Sequence, residues 1–165
     1  MKADSQMQSG INLDGWFAGG VHFYPLRVNF EDTDAGGIVY HANYLAFAER
    51  ARSACLRCLG ICQEETLVSL QDGNTEAFIF VVRRVTVDYM RAAGLGEALL
   101  VETCIERLRG ASMELQQTVT NFEDGHILAR LVVDIGCVAP TVGGGKRPRR
   151  IPGAVVDKLS QSVPA

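Results

Sequence analysis

The hydrophobic period changes once along this chain, and that change limits the folds open to it. Tyr44, Phe47, Ala48, Ala51, Cys55, Cys58, Leu59 and Cys62 recur at helical spacing and form one apolar stripe. Glu49, Arg50, Arg52 and Arg57 fall mostly on other faces. Asn43 is placed to cap this helix and Gly60 to end it. Residues 63–74 read as a polar connection with a short helical piece. Beyond it the chain reads as strand. Phe78 to Tyr89, Leu99 to Arg109, Ser112 to Asn121 and His126 to Val138 are separated by turn residues at Gly94-Leu95-Gly96, Arg109-Gly110 and Glu123-Asp124-Gly125. Val21 to Asn29 supplies one strand ahead of the helix, with Pro25 marking an edge or a bend. Short turns between consecutive strands imply an antiparallel meander. A lone helix must bury its stripe on something, and a curved antiparallel sheet provides it, so the class is α+β. Such a sheet keeps open edges, and pairing with a second copy is a natural way to cover one.

A chain of 165 residues favours one domain with a real core. That domain is expected over residues 21–140, with a flexible tail at 1–20 and a basic tail at 141–165. The formal net charge of -3 argues against general nucleic-acid affinity. The five cysteines, an odd number, do not suit a pure disulfide framework. Cys55, Cys58 and Cys62 lack the further ligands a zinc site needs and are expected as small apolar residues on the buried stripe. Residues 1–20 do not look like a signal peptide, and no stretch is apolar enough to span a bilayer. Unpaired thiols then point to a cytoplasmic location.

The chemistry is expected in the loop entering the helix, from Phe30 through Glu31, Asp32, Thr33, Asp34, Ala35, Gly36, Gly37, Ile38, Val39, Tyr40, His41, Ala42 and Asn43 to Tyr44. Gly36 and Gly37 allow close backbone approach and positive φ. The helix start directs unsatisfied N–H groups and the positive end of its dipole towards the loop, where they could polarise a carbonyl. A carboxylate there could attack that carbonyl or activate water, and an imidazole could orient either party. Asp and Gly are also ordinary turn residues. From the residues alone, an esterase, a ligand-binding loop and a decorated turn all remain open.

This loop, with Glu49-Arg50-Ala51-Arg52 on the helix, the strand Phe80 to Tyr89 and the basic Lys146 to Pro152, resembles the 4-hydroxybenzoyl-CoA thioesterase-like hot-dog family. It is most similar to the bacterial acyl-CoA thioesterases associated with the Tol-Pal system. The resemblance covers residues 21–160 and implies a long central helix wrapped by a five-stranded antiparallel sheet. It implies hydrolysis of acyl-CoA to free acid and CoA, with no metal or redox cofactor. Asp34 matches the catalytic aspartate, as nucleophile or general base. His41 matches a histidine that positions or polarises the reacting group. Backbone N–H groups at Tyr40 and His41 would form the oxyanion site. The family places its site between two subunits, in homodimers or homotetramers. The step Met90-Arg91-Ala92-Ala93 lacks a proline common in relatives.

A CoA enzyme needs cations for phosphate, and Arg83, Arg84, Arg91, Lys146, Arg147, Arg149 and Arg150 are the candidates, with the cluster at 146–150 open equally to a solvated tail or a docking patch for an acidic partner. Neighbours on a strand face opposite ways, so only one of Arg83 and Arg84 would reach the ligand unless a bulge intervenes. Glu49 is expected to pair with Arg52, and Asp32 to hold the loop through backbone N–H groups. His22 and His126 are expected to be exposed. A dehydratase of the same fold needs a different Asp/His arrangement. A non-catalytic acyl-CoA-binding or scaffold protein near the cell envelope is the alternative from another class.

Overall fold

The structure is a computed structural model and describes residues 12–66, 77–141 and 145–162. The long helix α1 (Asn43–Cys58) lies across one antiparallel sheet. Its five long strands are β2 (Val21–Arg27), β3 (Ile79–Tyr89), β4 (Ala98–Leu108), β5 (Ser112–Asn121) and β6 (Ile127–Pro140). Two three-residue strands extend it, β1 (Trp16–Ala18) beside β2 and β7 (Lys146–Pro148) beside β6. The order is β1-β2-β4-β5-β6-β3, which corrects the simple meander. Strands β4, β5 and β6 do follow one another, but β3 lies at the far edge, and β2 takes the place beside β4. The reason lies in the connection from β3 to β4. It is not a tight hairpin but is tied to the loop before α1, through Val39 N–H to the Ala93 carbonyl at 2.9 Å and Gly96 N–H to the Val28 carbonyl at 3.0 Å.

Helix α1 buries Tyr44, Phe47, Ala48, Ala51, Ala54, Cys55 and Leu56 against the inner sheet face. The small residues Ala48 and Ala51 let the helix sit close to the strands, while Phe47 fills the space beside them. A row of polar side chains crosses beneath it. Gln117 donates to the Ala48 carbonyl and to Thr103 Oγ1, both at 2.9 Å, and accepts from Arg52 at 2.8 Å. Gln117, Thr103 and Arg52 thereby find partners in one another and in the helix backbone. Arg52 thus reaches inward to Gln117, and Glu49, expected as its partner, instead accepts from Ser53 Oγ at 2.8 Å.

The helix start needs a second correction. Asn43 is the first helical residue, the N-cap is Ala42, and no side chain caps it. At the other end Gly60 takes φ +67, as expected of a helix stop. Among the clustered cysteines only Cys55 is buried, and Cys58 is exposed beside the N-terminal arm.

Both supposed tails carry ordered structure. Trp16 in β1 stacks on Phe23 across the ladder, with ring centroids 5.9 Å apart. After β7, a further helix, α2 (Gly153–Ser160), buries Leu159 completely and packs Val155 and Val156 on the core. Lys158 Nζ bonds the Gly60 carbonyl at 2.6 Å, tying α2 to the end of α1. Residues 63–66 are helical, and the rest of the expected polar connection lies outside the described residues.

His22 is fully buried, against expectation, because it points to the inner face of β2 beneath the N-terminal arm. Its Nε2 bonds the Asp14 carbonyl at 2.7 Å, and Nδ1 has no partner among the described residues. Burial lowers its pKa below 6.5, partly opposed by Asp14. The unfolded chain therefore takes up this proton more readily than the folded one. Stability from neutral His22 is fully present above pH 6.5 and is lost as pH falls below it. The urea midpoint is expected to drop between pH 7.5 and 5.5, and His22→Gln to flatten that dependence. An equal drop in the variant would contradict the assignment to His22.

Candidate active site

The loop before α1 is built from its carboxylates. Asp32 is buried, and its Oδ2 accepts the Asn29 N–H at 2.8 Å, so it holds the loop as expected. Asp34 starts a tight reversal. Its N–H bonds the Ile38 carbonyl at 2.9 Å, and its carbonyl accepts the Gly37 N–H at 3.0 Å. Asp34 Oδ1 accepts the Gly36 N–H at 2.7 Å. A Cβ at Gly36 would lie 3.1 Å from that oxygen, so the glycine is what lets the carboxylate come so close. Gly37 takes φ +75, which only glycine adopts without strain. Oδ2 has no partner among the described residues, and Asp34 is exposed. One oxygen therefore holds the turn, and the other has no partner among the described residues.

The loop then passes Val39, which is buried, and delivers His41 to the start of α1. Ile38, Val39, His41, Tyr44, Tyr89, Met90, Arg91 and Ala92 line an open cavity of about 260 Å³. Its wall is mainly apolar and aromatic. Buried Tyr44 steadies it, since its hydroxyl accepts the Ala93 N–H at 3.1 Å. Burial raises the Tyr44 pKa above 10, so it stays a neutral phenol at neutral pH. The imidazole of His41 lies against Tyr40, with centroids 4.5 Å apart.

The oxyanion expectation needs amending. The Tyr40 N–H donates to the Asp32 carbonyl at 2.9 Å and is not available to a ligand. The His41 N–H has no acceptor among the described residues and is the remaining donor of the expected pair.

The basic candidates separate. Arg91 is on the cavity wall with His41. Arg83 sits at a register shift between Val82 and Arg84, so the bulge foreseen as an exception is present. The stem of Arg83 crosses Gly136, and Arg84 pairs in register with Asp134, which puts both arginines on the outer sheet face. Lys146 and Arg147 are exposed on β7, beside the Val138 end of β6. That end faces Ile79, whereas Tyr89 and the cavity lie at the other end of β3, about 30 Å away at strand spacing. Within one chain these two residues do not share the cavity mouth. Arg149 is half-buried and donates to the Ala77 carbonyl at 3.1 Å. Arg150 is exposed near Gly110.

Thiol chemistry has little support. Burial pushes Cys55 up to about 12 and raises Cys58, Cys104 and Cys137, the opposite of an activated nucleophile. Among the described residues no group of three His, Cys, Asp or Glu could hold a metal ion, and no helix is long and apolar enough to cross a membrane.

A family model described as the thioesterase superfamily matches residues 36–127. The acyl-CoA thioester hydrolase YbgC of Escherichia coli O6:H1 is 38% identical over 138 residues, 84% of this chain and 95% of that protein. The acyl-CoA thioesterase YbgC of Haemophilus influenzae is 40% identical over 115 residues, 70% of this chain and 79% of that protein. Among solved structures, a probable thioesterase from Bartonella henselae is 36% identical, with TM-score 0.68, covering 80% of this chain and 99% of that one. The 4-hydroxybenzoyl-CoA thioesterase of Pseudomonas sp. strain CBS-3 is 18% identical, with TM-score 0.73, over 84% and 98% of the two chains, a likeness of fold.

Proposed function

The chain belongs to the thioesterase superfamily, and from that membership we propose that it hydrolyses acyl-CoA thioesters to free acid and CoA, with Asp34 acting at the reacting carbonyl. The observation that carries the role of Asp34 is the divided carboxylate, with Oδ1 fixed by Gly36 and Oδ2 open, in the loop that enters α1. The thioester carbonyl lies against the start of α1. The His41 N–H and the helix dipole stabilise the negative charge that develops on its oxygen. Asp34 Oδ2 takes a proton from a water that attacks the carbonyl carbon, or attacks that carbon itself. The C–S bond then breaks, and the sulfur leaves as CoA thiolate, which takes up the proton held by Asp34 or one from solvent. After direct attack, water hydrolyses the acyl–Asp34 anhydride, which releases the acid and restores the carboxylate. The acyl group takes the apolar cavity walled by Tyr44, Tyr89 and Met90, and Arg91 at its rim meets CoA phosphate.

The unit that does this is a homodimer. Strand β3 has 11 residues and, among the described residues, pairs only with β6, which leaves a long open edge. An antiparallel second copy sets the Ile79 end of one β3 beside the Tyr89 end of the other. The partner's Lys146 and Arg147 then approach the cavity that this chain's own copies of those residues do not reach. A homotetramer would stack two such dimers.

Hydrolysis, as opposed to acyl transfer, requires free acid and CoA thiol to appear in equal amounts with water as the only acceptor. His41→Ala is expected to lower kcat about 10- to 100-fold, less than loss of Asp34. Unchanged kinetics in that variant would remove His41 from the mechanism.

A further inference from the structure

Tyr89 ends β3 beside the cavity, and nothing in the sequence pattern separates it from an aromatic that merely fills a strand. Its hydroxyl donates to the His41 carbonyl at 2.9 Å. Its ring meets the His41 imidazole edge-on, with centroids 6.1 Å apart and planes at 89°. The same ring packs on Tyr44 at 5.7 Å and 68°. Neither ring nitrogen of His41 has a hydrogen-bond partner among the described residues. The imidazole is therefore oriented by its backbone and by the aromatic rings around it.

His41 directly precedes the N-cap Ala42, so its carbonyl lies outside the hydrogen-bond ladder of α1. The Leu45 N–H goes to the Ala42 carbonyl at 3.1 Å. The Tyr89 hydroxyl takes the His41 carbonyl and holds the plane of the peptide that follows His41. Holding that plane limits rotation about ψ of His41 and so steadies the backbone that carries the imidazole.

We propose that Tyr89 is a positioning residue for the thioester hydrolysis proposed above, on which the kinetic part of this inference rests. Its hydroxyl fixes the His41 peptide, and its ring edge fixes the imidazole at the cavity wall. The surrounding loop does not depend on that hydroxyl. Val39 N–H to the Ala93 carbonyl, Ala93 N–H to Tyr44 Oη and the Ile38–Gly94 bridge hold it, and none of these involves His41. Removing the hydroxyl alone leaves the fold in place and releases His41.

The test is Tyr89→Phe in the full chain, alone and combined with His41→Ala. The single variant is expected to lower kcat about five- to tenfold, the size of one lost neutral hydrogen bond, with KM within about twofold. In the His41→Ala background the same change is expected to have almost no further effect, because its action runs through His41. Imidazole signals of His41 in a ¹H–¹³C spectrum are expected to shift or broaden in Tyr89→Phe, while those of His126 stay in place. A shifted His41 with non-additive kinetics supports the proposal. An unmoved His41 signal, or an equal loss of kcat in both backgrounds, overturns it. Should the wild-type protein hydrolyse no acyl-CoA, the functional reading fails by itself, and the positioning role is decided by the His41 signals alone.

Discussion

Asp34→Asn is expected to lower kcat for acyl-CoA hydrolysis at least about a thousandfold while leaving CoA-ester binding within about threefold. The substitution separates the turn contact of this side chain from the chemical role proposed for it. An amide oxygen still accepts the Gly36 N–H, which the carboxylate bonds at 2.7 Å, so the turn from Asp34 to Ile38 keeps its geometry. The outward atom becomes an NH₂ group, which neither attacks a thioester nor takes a proton from water. The chemistry is lost and the scaffold is not. Binding is measured with a non-hydrolysable thioether analogue, so that affinity is read without turnover. Retained turnover in a folded Asp34→Asn protein would remove Asp34 from the mechanism. Lost binding would instead mean that the charge of Asp34 serves the ligand and not the reaction.

The largest effect on stability is expected at Phe47, a fully buried side chain on the stripe of α1. Phe47→Ala removes most of an aromatic ring from between helix and sheet, where Ala48 and Ala51 on either side are too small to fill the gap. The expected loss is about 3–5 kcal/mol, combining lost transfer energy with the cavity left behind. It is read from the urea unfolding midpoint. The site would feel the change too. Phe47 packs edge-on against Tyr44, with centroids 6.0 Å apart, and Tyr44 holds the Ala93 N–H behind the cavity. A loss below about 1 kcal/mol would mean that the helix settles onto the sheet without Phe47.

The elements with strong periodicity were readable from sequence. Tyr44, Phe47, Ala48 and Ala51 carry a 3.6-residue repeat that only a helix satisfies, and β5 begins and ends where its alternation does. Strand order was less readable, because β3 and β4 look like hairpin neighbours until one sees that residues 90–97 are bonded to the loop at residues 28–39. The ends of the chain misled for a different reason. Trp16 stacks on Phe23, and Val155, Val156 and Leu159 share one face of α2, but each segment is too short to show a period above its polar surroundings. His22 was misjudged because a strand start says nothing about which chain segment covers it.

The site divides in the same way. The placement of Asp34, Gly36, Gly37 and His41 was legible because a carboxylate, two glycines and an imidazole crowd into one loop at a helix start. The loss of Tyr40 as a donor was not, since it depends on the Asp32 carbonyl, a backbone atom with no trace in side-chain chemistry. Nor was Tyr89, whose hydroxyl reaches His41 across 48 residues of sequence. The arginines show the limit of strand parity. Arg83 and Arg84 alternate on paper, but the bulge between Val82 and Arg84 places both on the outer face.

The account rests on thioester hydrolysis, and the most direct measurement is CoA thiol release by the purified protein. Acyl-CoAs from short to long chains and one aromatic acyl-CoA serve as substrates, with Asp34→Asn at the same concentration. Steady release with at least one substrate, abolished in the variant, is the predicted result. No release with any thioester from folded wild-type protein, or equal release from both proteins, would contradict it.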